Sequence, residues 1–561
     1  MKIDLNKEPE QLLAFGLIDR NCLDEIMNYQ ATYGVFLHKY ELQAIQCLNE
    51  AQLKELFLLT EVNHESSYFR KESELLLRYR YQLQKFRAQD SGLFLGSSSY
   101  RFTRLKHQWK NKRLRVSAES DPGEKSLNFI SGSLEFNQAK RRLIIGDYQV
   151  GLAQGVLLWN SFGGGRSRNV FNYYKKTTAR PLSGTNEMFY FRGYHLHQQL
   201  GKLQVQHFSS FKQLKGSIEQ GEVKITGTGL SGTAKEAEGS KRLREQISAL
   251  TASYDWKRKQ LSAQAIYQGY QDRKLDKQWE QLAYSFSFTQ HLNNGRIYTE
   301  LAHSNGLAML VGSQLSLAKE LDLAICFYRS SAAFESRYEN AHRRGWQAES
   351  SIYSSINFRP KKHLSFSLFI AKARGNTWEN NFTKTKREVE YGLTASLKNS
   401  FKQQLYLSYK ADWDMHNGQV QEHGYSRMKY QLEWEDLLQH RIRVEAIHFH
   451  EQFSSMAYYQ GKINLPGSQS LQLRFTKMQL ADGSPLFYNY QLALWMAYAG
   501  GVYSEDGYQL ALKWVKKTKL LRLEVLYAEL YYPEREQWSS GDRRFTGPRR
   551  SQISAQLIFS F

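Results

Sequence analysis

The sequence is poor in the residues that organise small cross-linked domains. It has only three cysteines, Cys22, Cys47 and Cys326. Their number and spacing give neither a zinc pattern nor a paired framework. Cys22 and Cys47 sit among apolar residues and read as small packed hydrophobes. Eight prolines in 561 residues leave room for long, uninterrupted strand ladders. No apolar run has the length that a membrane-spanning helix needs. The longest candidate, Leu492 to Val502, is short and contains Gly500 and Gly501. Met1 to Glu10 hold no signal-peptide core, so any reading that requires export also expects an export segment missing from this chain.

Aromatic side chains and positive charge are abundant. Tyr 35, Phe 31 and Trp 11 would supply two interfacial girdles of a membrane barrel or the cores of soluble β domains. Lys and Arg number 76 against 54 Asp and Glu, a formal charge of +22. Mean hydropathy is −0.60, which excludes a helical membrane protein. It does not exclude a barrel, which hides half of its strand residues from lipid.

A period of two runs through most of the chain. Leu114, Val116 and Ala118 alternate with Arg113, Arg115 and Ser117. Leu282, Tyr284, Phe286 and Phe288 alternate with Ala283, Ser285, Ser287 and Thr289. Leu364, Phe366, Leu368 and Ile370 form another such face, as do Leu521, Leu523, Val525 and Tyr527. Asn294-Gly295, Asn305-Gly306, Asn417-Gly418, Asp482-Gly483 and Asp506-Gly507 read as hairpin turns between strands. At the end of the chain Ile553, Ala555, Leu557, Phe559 and Phe561 share one face, opposite Gln552, Ser554, Gln556, Ile558 and Ser560. This stretch, ending on Phe561, resembles the terminal strand of bacterial outer-membrane β-barrels, whose last residue is typically Phe and forms part of their assembly signal. The expected architecture is α+β: a small all-α domain followed by a large antiparallel transmembrane β-barrel of about 22–26 strands over residues 92–561. The alternative, a series of soluble sandwiches, would need linkers, and no Pro/Ser-rich linker follows Ser91. On the clearest strands Arg and Lys share a face with Ser, Gln and Thr. Such a lumen would attract nucleic acid, lipopolysaccharide groups or other acidic polymers, or its charges would pair with Glu and Asp across the pore.

Residues 1–62 have helical spacing. Leu5, Asn6, Leu12, Leu13, Tyr29, Tyr33, Gly34, Phe36, Tyr40, Glu41, Leu42 and Ile45 resemble a tandem helix-hairpin-helix domain of the competence-protein type. That resemblance implies DNA-phosphate contact at the first hairpin, through Gly16, Leu17, Ile18 and nearby Arg20, where backbone amides would be the donors. The second hairpin would be Gln46-Cys47-Leu48-Asn49, which has no Gly. Charge points elsewhere. The unit carries five basic and ten acidic residues and is near −5, leaving about +27 on the rest. A DNA binder needs a basic footprint, so a protein-binding or structural role is the other reading. Residues 63–91, with Leu75, Leu76, Leu77, Tyr79 and Leu83 among Arg78, Arg80, Lys85 and Arg87, read as a charged helical linker.

Residues 150–186 stand apart. They contain no carboxylate, a Gly163-Gly164-Gly165 run, and five basic residues: Arg166, Arg168, Lys175, Lys176 and Arg180. Such a stretch inside a strand array suits a plug or constriction folded into the lumen, or a long surface loop. Gly146-Asp147-Tyr148, Gln154-Gly155, Trp159, Phe162-Gly163, Arg180-Pro181, Asn186-Glu187 and Arg192-Gly193 together resemble the barrel part of Bacteroidetes proteins that join a helix-hairpin-helix domain to a large outer-membrane barrel. The resemblance spans most of the chain and implies architecture rather than activity.

Signs of catalysis are absent. No Gly-Lys-Ser/Thr follows the glycine run, and no nucleophile elbow or His-Glu-x-x-His occurs. His195 and His197, and His448 and His450 near Glu445 and Glu451, lack an evident third metal ligand. The expectation is a non-enzymatic, monomeric barrel in outer-membrane lipid, with no catalytic residue, metal or cofactor and with the N-terminal domain in the periplasm. It would serve as a conduit or docking site for DNA or another anionic polymer. The alternative is a structural or assembly barrel whose helical domain binds a periplasmic protein. A soluble DNA-binding protein with β domains is a third reading.

Overall fold

The computed structural model describes residues 3–561 except 7–8, 34–35, 37–38, 46, 49, 63–71, 126, 162–169, 183, 186, 220, 226–228, 238–241, 340–345, 380–381 and 417–418. In the first 62 residues the helices Glu10–Ala14, Arg20–Tyr33 and Glu50–Leu59 and a 3-10 turn at Lys39–Ala44 surround Leu5, Leu12, Leu23, Ile26, Phe36, Leu42 and Leu56. A parallel bridge of Ile3–Asp4 with Thr60–Glu61 ties the ends of the unit together. The unit is therefore not all-α, and these elements do not show a helix-hairpin-helix pair. Gln46 and Asn49 of the second expected hairpin, and the expected turn Asn417-Gly418, lie outside the described residues. The cysteines correct the sequence reading. Cys22 and Cys47 form a disulfide, their Cα atoms 5.4 Å apart. Packing of the turn after Lys39–Ala44 onto the Arg20–Tyr33 helix creates that proximity, and a separation of 25 residues could not reveal it.

The expected helical linker is also corrected. Glu72–Gln82 is a strand, paired on one side with Tyr100–Trp109 and on the other with the terminal strand, Arg549–Ser560. The strict alternation of Leu77, Tyr79 and Tyr81 with Arg78, Arg80 and Gln82 is a strand signature. The Leu75-Leu76-Leu77 run masked it, because Leu76 points inward and packs with Phe102 and Ile558. Among the described residues of that stretch, only Arg87–Asp90 is helical. The barrel thus begins before residue 92, and its first strand closes the ring against its last.

The ring has 24 antiparallel strands, within the expected range and even in number. The short Thr178–Pro181 strand adds to the end of Arg141–Gly151. Strand spacing and tilt give such a ring a diameter of roughly 45–50 Å. At one end the strands are joined by turns of two or three residues, from 110–111 to 518–520. The first strand starts at Glu72 and the chain ends at Phe561 on that same side. All the long connections, 83–99, 121–128, 152–190, 215–242, 331–346, 480–506 and 532–548, leave the other end. Several of these clasp one another there: Arg543 holds Glu236 at 2.8 Å, and the Leu95 amide donates to the Gly232 carbonyl at 2.9 Å.

The wall has inverted polarity. On Lys277–Leu292 the apolar Leu282 and Phe286 are 64% and 59% exposed, whereas Ser285 is fully buried. On the terminal strand Ile553, Phe559 and Phe561 are exposed while Ser554 and Gln556 are buried. A soluble sandwich does the opposite. An outward apolar face on a closed ring is that of a membrane-spanning barrel.

Candidate conduit: the inner wall and two inward-folded segments

Four inward-facing carboxylates of the strands are each held by two or more cations. Glu135 meets Arg142 at 2.7 Å and Arg113 at 3.1 Å. Glu445 meets Arg443 at 2.8 Å, and Arg427 and Lys429 at 3.4 Å. Glu524 meets Arg522 at 2.7 Å and Lys513 at 3.5 Å. Glu74 meets Arg104 at 2.8 Å and Lys106 at 3.6 Å. The same strand (Arg443, Arg522) or a neighbouring one supplies these partners, so the lumenal charges pair along the wall. The pairing leaves positive charge in excess at each cluster.

Residues 150–161 and 170–182 fold against this wall. Val150, Leu152, Val156, Leu157, Leu158, Val170 and Tyr173 are buried in one cluster with Phe208, Ile247, Tyr298, Cys326 and Tyr353, which come from five strands of the wall. The buried Glu300 carboxylate accepts from the amides of Gln154 at 2.8 Å and Val156 at 3.2 Å. Gln264 and Ser285 bind the same carboxylate at 3.1 and 3.0 Å. Gln154 in turn exchanges two hydrogen bonds with the Lys175 backbone. The Lys175 ammonium lies 5.0 Å from the Trp159 ring centre, and burial pulls its pKa down to about 7. Lys176 is exposed, and Arg180 binds Gln149 at 3.1 Å. Arg166, Arg168 and the glycine run lie outside the described residues.

The described residues of the barrel resemblance converge at the root of this segment. Arg192 grips Asp147 at 2.7 and 2.9 Å. Gly146 faces Gly193 across the ladder, Tyr148 faces Pro181, and Gly151 bridges to Trp159. A Cβ on Gly151 would sit 2.5 Å from the Trp159 ring, so glycine permits this close approach.

A second inward segment escaped the sequence reading. Between the strands Gln469–Gln479 and Gly507–Lys517 the chain forms a hairpin of Phe487–Tyr490 with Gly500–Tyr503. Asp482-Gly483 and Asp506-Gly507 bracket this hairpin and are not tight turns between wall strands. Phe487 and Tyr503 pack on Ile447, Met456 and Met478 of the wall. Wall side chains hold the hairpin mainly by its carbonyls. Arg427 donates to Leu486 O at 3.0 Å, Lys513 to Ala493 O at 2.6 Å, and Arg78 to Trp495 O at 3.0 Å. Arg474 donates to Tyr490 O, and Arg443 to the Asn489 side chain at 3.2 Å. The Trp495 amide returns one bond to Glu524 at 2.6 Å. Gly483 to Ser504 contain no charged residue in a chain that is 23% charged, and that contrast was the available sequence signal.

At the first N-terminal hairpin, the amides of Gly16, Leu17 and Ile18 donate to the carbonyls of Leu13 and Leu12. Arg20 begins the following helix. Among the described residues no group of three or more His, Cys, Asp or Glu is placed to hold a metal ion. His195 binds Gln206, His448 packs on Phe453, and His450 lies beyond the end of its strand.

No protein-family model matches the chain, and no curated protein matches it. Among solved structures it is similar to the siderophore receptor PirA from Acinetobacter baumannii, at 9% identity and a TM-score of 0.43, over 90% of this chain and 82% of that one. A ferric enterobactin receptor from Pseudomonas aeruginosa in complex with enterobactin gives 9% identity and 0.44, over 90% and 83%. The P pilus usher PapC translocation pore gives 8% and 0.36, over 87% and 99%. At these values the likenesses carry no argument about cargo.

Proposed function

We propose that the chain is an outer-membrane conduit for an anionic polymer, with residues 1–62 on the periplasmic side. The observation that carries this reading is the excess of cations around single carboxylates on the inner face of a closed ring. Such a lumen concentrates anions. The Cys22–Cys47 disulfide suits an oxidising compartment such as the periplasm. In outer-membrane barrels short turns face the periplasm, and the first strand, the one that follows the N-terminal unit, starts at the short-turn end. The proposed barrel is monomeric, non-enzymatic and embedded in lipid, and its inward segments narrow the lumen. Reversal potentials of the purified barrel in planar bilayers under a KCl gradient test this reading. Anion preference is expected, and cation preference would overturn it.

DNA is one candidate polymer, with Gly16, Leu17, Ile18 and Arg20 as its contact at the helical unit. A specific observation favours the second reading, in which that unit docks a periplasmic protein. The three hairpin amides already donate within the unit, the unit is acidic, and Phe15 beside them is 67% exposed. Duplex binding by the full chain decides between the two. Under the DNA reading Arg20→Ala weakens binding and lowers its salt dependence. An unchanged affinity favours protein docking.

A further inference from the structure

The Phe487–Tyr503 hairpin has two unlike faces. Phe487, Asn489 and Tyr503 are buried against the wall, while the alternate positions Tyr488, Tyr490 and Val502 point away from it and are exposed. Trp495, Met496 and Tyr498 extend this exposed face, and Tyr498 is 91% exposed. Tyr490 stands opposite Gly500 in the ladder, and the Tyr498 phenol occupies the place that a Cβ on Gly500 would take. Glycine there leaves room for the Tyr498 ring. The hairpin reaches far down the wall, since Trp495 bonds to Glu524, near the short-turn end of its strand. The result is a row of aromatic side chains inside the barrel, on an uncharged support, backed by wall cations.

We propose that this face is a binding track for an acidic glycan, resting on the conduit reading above. The weakly polar faces of sugar rings stack on Tyr and Trp, while phenol hydroxyls and backbone groups take sugar hydroxyls. The wall behind the hairpin supplies the charge preference. Arg78, Arg427, Arg443, Arg474 and Lys513 all bond to the hairpin, with the carboxylates of Glu445 and Glu524 among them. Their surplus positive field attracts carboxylated sugars without direct contact. A nucleic-acid strand also stacks, but it relies on cations contacting its phosphates. Here the cations are engaged by the hairpin or by glutamates, so a glycan fits better.

The test is calorimetric titration of the full chain in nanodiscs with oligogalacturonate, inorganic polyphosphate and oligo(dT), for the parent and for Tyr488→Ala, Tyr490→Ala and Tyr498→Ala. These side chains are exposed, so the fold tolerates their loss. Oligogalacturonate is expected to bind, and each substitution to weaken it roughly tenfold. Polyphosphate binding should not change, and Tyr498→Phe should retain most of the affinity. Absence of oligogalacturonate binding, or binding indifferent to all three alanines, overturns the track. Tighter oligo(dT) binding lost on the same substitutions assigns the track to nucleic acid instead and also overturns it. Glycan binding without anion conductance would sink the conduit reading and leave the track standing.

Discussion

The two inward segments are held by opposite means. The first segment offers the backbone amides of Gln154 and Val156 to a wall carboxylate, Glu300. The 484–503 hairpin offers carbonyls to wall cations. The first buries its apolar side chains in the largest cluster of the molecule. The second packs into smaller clusters and keeps Tyr488, Tyr490 and Tyr498 exposed. A polar barrel interior holds water, and here its charged members also fasten the inner backbone. The first segment is built as lining and the second as a surface for contact.

The largest expected effect separates them by anchorage. Glu300→Ala removes the acceptor of four hydrogen bonds at once and leaves the donors of Gln154 and Val156 buried. The loss is about 3–5 kcal/mol. Hydrogen exchange should then rise at the Leu152–Trp159 amides and stay unchanged in the hairpin. Arg78→Ala removes its bonds to the Trp495 carbonyl and to Gln556, at about 1–2 kcal/mol, because several wall side chains share the hold on the hairpin. Equal losses from the two substitutions would contradict this contrast.

The next effect separates them by pH. Lys175 falls from 10.5 to about 7 through burial, which outweighs the opposing influence of Cys326 and Glu300. With the segment undocked its pKa returns to the ordinary value. Between pH 7 and 10.5 the docked form therefore binds fewer protons, and docking strengthens as pH rises. Below about pH 7 both forms are protonated and the full cost of burying the charge applies. From pH 6 to 9 the docking equilibrium should improve roughly a hundredfold. The hairpin carries no Lys, His or carboxylate between Gly483 and Ser504, so its own exchange protection should change much less. Protection of Leu152–Trp159 that falls as pH rises, after correction for intrinsic exchange, would reverse the assignment.

The same contrast explains what was legible in the sequence. Leu282, Tyr284 and Phe286 announce the wall because each side chain faces lipid or lumen by simple alternation. Phe561 marks the closing strand for the same reason. Leu76 hid the first strand because an apolar residue faces inward at a local cluster. The Cys22–Cys47 bond depends on packing between separated elements. The absence of carboxylates and the glycine run singled out residues 150–186, but Glu300, which fixes that segment, lies far along the chain. The hairpin left no strand signature because its two strands have only four residues each, too few for alternation to register; only its uncharged stretch set it apart.

The smallest effect is a pair of glycine substitutions. A Cβ on Gly151 would meet the Trp159 ring at 2.5 Å. That ring is buried and belongs to the segment that Glu300 anchors, so it has little room to withdraw. Gly151→Ala should cost about 1–3 kcal/mol by overpacking and lower the melting temperature of the purified barrel. A Cβ on Gly501 would instead meet the Gln491 side chain from its amide back to Cγ, an unbranched side chain that can change rotamer where a buried indole cannot. Gly501→Ala should cost less than about 1 kcal/mol. If Gly501→Ala proves the more damaging of the two, the hairpin is the rigid element and the 150–182 segment the adaptable one, and the division of labour between lining and contact surface is the wrong way round.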